Sequence, residues 1–111
     1  MAFTLKGSSA AVFDLVGPDG GQLEIQIDEG TPTTVKRIDG YCTYSRMSKT
    51  MIIPEREAGE YRVKVTLTDE QLDKRSILFE RNRKDFDENP GRYKEHTWYA
   101  GSLLIIGEIV N

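Results

Sequence analysis

Polar and apolar residues alternate with a period of two along several short stretches, and that pattern limits the chain to strands with one wet face. In "GQLEIQID", residues 21 to 28, Leu23, Ile25 and Ile27 point one way while Gln22, Glu24 and Gln26 point the other. The pattern returns in "EYRVKVTL", residues 60 to 67, where Tyr61, Val63, Val65 and Leu67 are expected to face inward and Arg62, Lys64 and Thr66 outward. A third stretch, "SAAVFDLV" at 9 to 16, mixes small and β-favouring residues. Between it and the first lies "GPDGG", where Pro18 presets φ, Asp19 can bond local backbone and two glycines are free to take positive φ. These features predict a β-hairpin over 13 to 28, with Phe13, Leu15, Leu23, Ile25 and Ile27 feeding the core and Asp28 ordering the turn that follows.

Thr34 to Ile53 holds no sustained helical period and reads as two or three strands broken at Gly40. "TDEQ" at 68 to 71 offers a capping box for a short helix, "ILFE" at 77 to 80 reads as a strand, and the charged run 81 to 96 reads as a long surface loop. "SLLIIGEIVN" reads as a strand covered on both faces or closing the structure, with Gly107 as a bulge. Seven or eight short strands with little helix predict one all-β module over residues 1–111, an antiparallel two-sheet sandwich of jelly-roll topology.

A chain of 111 residues has the length of one domain. A formal net charge of -3 sets an unfavourable average field for tracking phosphates, so nucleic acid is not an expected partner. The longest apolar run, Leu103–Ile106, is too short to cross a bilayer, and "MAFTLK" lacks the apolar core of a signal peptide, so no membrane segment or export signal is expected. The compartment stays open, since a module taken from a larger extracellular or periplasmic protein reads the same way. Cys42 is the only cysteine, which excludes an intramolecular disulfide and a cysteine knuckle. A residue of this kind inside a strand pattern is expected to be a small buried hydrophobe.

Catalytic constellations are thin. His96 is the only histidine, and neither a "GDS" nor a "GxSxG" nucleophile turn is present, so no serine triad is expected. The acidic residues at turn ends lack EF-hand spacing, which leaves a structural Ca²⁺ as a weak expectation and no other cofactor. Aromatic and basic residues remain. "DGYCTYSR" and "RYKEHTWYAG" supply Tyr41, Tyr44, Arg46, His96, Trp98 and Tyr99 as candidate ligand-binding residues. Rings with an apolar face stack on sugars and Arg46 can bond hydroxyls, while a lone Trp beside an apolar strand competes for a place in the core.

The order "LKGSSAAVFDLVGPDGGQLEIQID", "IDGYCTYSR", "GEYRVKVTL" and "WYAGSLLIIGEIV" resembles the non-catalytic β-sandwich module attached to bacterial GDSL/SGNH-type esterases and related carbohydrate-active enzymes. The resemblance runs from Phe3 to Val110. It implies a galactose-binding-like jelly roll that binds carbohydrate or packs beside a catalytic domain, and is not itself an enzyme. Where such modules have "VDG" after the second strand, this chain has "IDEG". The esterase "GDS" block is absent, so esterase activity does not follow from the resemblance.

Overall fold

The computed structural model describes residues 1–110. It is an antiparallel all-β structure with six strands among those residues: β1 (Ala2–Val16), β2 (Gln22–Ile27), β3 (Thr33–Lys36), β4 (Arg46–Ile53), β5 (Gly59–Leu67) and β6 (Tyr99–Val110). Their order is β3-β2-β5-β1-β4, with β6 on β1. The long β1 organises the sheet. One of its edges is shared, β5 pairing with Ala2–Gly7 and β4 with Ala10–Val16, while β6 runs antiparallel to it from Leu15 to Thr4.

The hairpin expected over 13 to 28 does not form, because β1 and β2 are not paired with each other. β5 lies between them, and "GPDGG" carries the chain from the β1 ladder to the far side of β5. The inward face of β1 also corrects the sequence reading. Phe13 is 43% exposed and Leu15 is exposed, whereas Asp14 is buried. Hydrophobic parity lost here because Asp14 finds enough donors inside to replace water, as described below.

Two clusters make the core. Leu5, Ala10, Val12, Leu23, Ile25, Ile52, Ile53, Val63 and Val65 fill the larger one, with Trp98, Leu103 and Ile105 packed against it. Val63 and Val65 hold their expected places, while Leu67 at the strand end is exposed. The smaller cluster joins Val16, Ile38, Cys42, Leu78 and Tyr93 beneath two short helices, α1 (Lys74–Ile77) and α2 (Arg83–Glu88). "ILFE" is therefore not a strand. It leaves α1 and enters a 3-10 turn at Glu80–Asn82, and the run expected as a loop carries that turn, α2 and a second 3-10 turn at Pro90–Tyr93. Asp73, not Thr68, caps α1, accepting from the Ser76 N–H; Thr68 Oγ1 accepts from the Glu70 N–H instead.

"DGYCTYS" is a turn and not strand, so Thr34 to Ile53 contributes two strands, β3 and β4. β6 is also not covered on both faces. It lies at the end of the sheet with Leu104 and Ile106 exposed. Gly107, at φ 139°, sits opposite Gly7, but the extra residue of that register shift is Ser8 of β1; the extra residue of β6 lies instead at Gly101–Ser102, opposite Phe13.

Candidate functional site

Along the inner face of β1, Val12 enters the larger cluster and Val16 the smaller, so Asp14 stands between two apolar masses. Its carboxylate accepts from Arg37 Nε at 2.7 Å and Arg37 Nη2 at 2.8 Å, from the Thr50 hydroxyl at 2.7 Å and from Trp98 Nε1 at 2.9 Å. Arg37 Nη2 also donates to Ser48 Oγ. Burial by itself pushes the Asp14 pKa up; the Arg37, Thr50 and Trp98 hydrogen bonds outweigh it and hold the group below its ordinary value. A buried carboxylate held by four donors, three on Oδ2 and one on Oδ1, is a structural centre.

Lys74 is a second buried charge. Its Nζ donates to the carbonyl oxygens of Pro18 at 2.9 Å and Glu95 at 2.6 Å, and burial pushes its pKa down. It fastens the "GPDGG" turn to the segment before β6. The Thr97 N–H donating to the Asp19 carbonyl, and the Tyr99 hydroxyl donating to the Asp19 carboxylate, close the same junction.

The six candidate residues divide among four places. Tyr41, in the turn before β4, and Arg46, the first residue of β4, lie together, with the Arg46 guanidinium 5.4 Å from the Tyr41 ring centre and paired to Asp39. Tyr44 is exposed in the same turn. His96 Nε2 lies 3.2 Å from Gln71 Oε1, beside a shallow cavity of about 260 Å³ lined by Leu67, Thr68, Gln71 and Glu95, and its Nδ1 is buried without a partner among the described residues. Trp98 packs on the core and donates to Asp14. Tyr99 lies on the outer face of β6.

Two residues that sequence reading missed complete the Tyr41 cluster. Phe79 meets Tyr41 edge to face, ring centres 4.6 Å apart and planes at 82°. Arg81 lies 5.0 Å from the Phe79 ring and 5.7 Å from that of Tyr41. The ledge is held from below: the Phe79 N–H and Asn82 Nδ2 both donate to the Gly40 carbonyl, and a Cβ on Gly40 would come within 2.7 Å of the Phe79 ring. No local signal in the sequence marks these two, which reach Tyr41 only through the long-range contacts of Phe79 and Asn82 with Gly40. Cys42 is buried beneath, its thiol against Asp39, and burial raises its pKa, so it is not an activated nucleophile. Among the described residues no three His, Cys, Asp or Glu side chains converge to hold a metal ion.

An exposed apolar face lies elsewhere, on the outer side of β4, β1 and β6. Register sets Met47 and Tyr99 on either side of Leu15, and Met51 and Leu104 on either side of Ala11, with Phe13 between these rows beside Lys49. Met47 is 79% exposed and Ile106 59%. With Phe13, Leu15, Met51, Tyr99 and Leu104 they expose on the order of 700 Å², taking ~200 Å² for a large side chain. Protein-family models, curated proteins and solved structures searched with this chain returned no match.

Proposed function

We propose that the chain is a non-catalytic accessory module of the galactose-binding-like jelly-roll kind, which acts by packing the outer face of β4, β1 and β6 against a neighbouring catalytic domain. The observation that supports this reading is the apolar face with Lys49 as its one charge among the register rows. Contiguous exposed apolar patches larger than a few hundred Å² mark interaction sites, protein-docking surfaces among them. The resemblance to modules carried by SGNH-type esterases supplies the class of neighbour.

The native module is expected to bind the dye ANS, and Phe13→Lys combined with Ile106→Lys to abolish that binding with little change in melting temperature. An SGNH-type hydrolase domain added as a separate chain should suppress the dye signal of the unsubstituted module. A module that ignores the dye, or one whose signal the hydrolase domain leaves unchanged, would sink the reading.

A second reading, carbohydrate binding, draws on the ledge of Tyr41, Phe79 and Arg81, whose half-exposed rings and cation suit a sugar ring and its oxygens. A glycan array with calorimetry on any hit tests it. Binding lost in Tyr41→Ala and kept in Tyr44→Ala places the ligand on the ledge; a folded module silent across the array removes this reading and leaves the first intact.

A further inference from the structure

Among the described residues β3 pairs only with β2 and β4 only with β1, so each keeps an edge that no strand covers. Arg37, one residue past β3, donates to Ser48 of β4 and ties the two strands at one end. Away from that tie they line a groove. It consists of two cavities of about 460 Å³ and 410 Å³ that share Ile25, Ile27, Thr33 and Arg56, a size in the range of small-molecule sites. The two halves differ in chemistry. In the first, Val35, Ile52 and Pro54 join the shared isoleucines, and Ile25 and Ile52 are themselves members of the larger core cluster. In the second, Thr31 and Thr33 bring hydroxyl groups.

Arg56 belongs to both halves. Its backbone N–H donates to the Ser8 carbonyl at 3.0 Å, and its guanidinium lies 5.0 Å from the centre of the Tyr61 ring, so the cation is held from two sides. It has no counter-charge. Asp28 and Glu55 also line the groove, yet among the described residues Arg56 forms no ion pair, and the Asp28 carboxylate accepts from the Arg62 N–H instead.

We infer that the groove binds a single alkyl chain that ends in a carboxylate, the tail lying over Ile25, Ile27, Val35 and Ile52 and the carboxylate on Arg56. A guanidinium meets a carboxylate through two parallel N–H···O bonds, and the tail gains free energy by leaving water. Other head groups fit less well. An ammonium would meet Arg56 as a like charge, and a hydroxyl would leave the cation without a counter-charge.

Calorimetry on the chain as it stands tests this, using fatty acids from hexanoate to decanoate held below their micelle concentrations. Affinity should rise roughly fourfold with each added methylene, the gain expected from burying that group. Decylamine should bind at least about tenfold more weakly than decanoate. Arg56→Ala should erase that preference, weakening decanoate and leaving decanol unchanged, an outcome that lost packing alone would not produce. Thr33→Trp should fill the shared part of the groove and abolish binding. Both positions are exposed, so neither substitution cuts into the core, and urea midpoints should stay near that of the parent. Phe13→Lys with Ile106→Lys alters residues outside the groove and should leave binding intact. No heat at any chain length, decylamine bound as tightly as decanoate, or binding lost with the outer face and kept in Thr33→Trp overturns the inference. The outer face takes no part in this site, so failure here leaves the docking reading standing.

Discussion

Replacing Asp14 with alanine is expected to destabilise the module by about 3–5 kcal/mol, because it leaves a guanidinium in the interior with its counter-charge gone. The Arg37 side chain is 11% exposed and that of Asp14 0%, so water reaches little of the pair. For a chain of this length the loss amounts to a fall in melting temperature on the order of 15 °C. Thr50 and Trp98 lose their acceptor in the same step. Asp14→Asn keeps the shape and some of the hydrogen bonds, and should lie between the parent and the alanine variant.

The same group carries a pH signature. Its folded pKa lies below its ordinary value, so its contribution is present above the unfolded pKa of about 3.9 and is lost as pH falls through the folded value. Stability from this source is therefore flat near neutrality and declines below about pH 4. Asp39, Asp73 and Asp87 are shifted the same way, so the acid limb survives in Asp14→Asn with a smaller slope. Chemical unfolding of parent and variant across the acid range measures the difference. Equal slopes would show that Asp14 titrates as it does in the unfolded chain.

Gly7→Ala is the other substitution with a large expected effect, at least about 3 kcal/mol. A Cβ at Gly7 would run into the Ile106 carbonyl oxygen and come within 2.7 Å of Gly107 Cα. These are backbone atoms of the paired strand, so no side-chain rotation relieves the clash and β6 must move away from β1. Gly107 faces the mirror problem, with φ at 139° and the Lys6 carbonyl oxygen in the place of a Cβ. Gly91, with nothing within 4 Å of its hypothetical Cβ, is the control, and Gly91→Ala should shift stability by no more than about 1 kcal/mol. Urea midpoints decide it. If Gly7→Ala and Gly91→Ala unfold together, the close approach of β1 and β6 is wrong.

The dispersal of the sequence-predicted site has a physical cause. Tyr41 and Arg46 came together because they are close along the chain, one in the turn and the other at the start of β4. His96, Trp98 and Tyr99 are also close in sequence, yet Trp98 turns to Asp14, Tyr99 to the outer face and Asp19, and His96 to Gln71. Neighbours entering a strand point to opposite faces, so proximity along the chain scattered the three side chains. Phe79 and Arg81 joined the site across a long sequence separation, through the Gly40 carbonyl, and no local pattern announces such a contact.

By itself the sequence determined the β class, since period-two alternation in "QLEIQI" and "YRVKVTL" leaves few alternatives to strands. It also determined the inward residues wherever alternation was clean, as at Leu23, Ile25, Val63 and Val65, and the break at Gly40. Only the tertiary structure decided which strands meet. A turn-rich link such as "GPDGG" serves a hairpin or a crossing between non-adjacent strands equally well, and the choice was made by where β5 lies. Tertiary structure also decided the parity of β1. Nothing local distinguishes Phe13 and Leu15 inward from Asp14 inward, because the donors that make the second arrangement favourable come from Arg37, Thr50 and Trp98, brought to Asp14 only when the chain has folded.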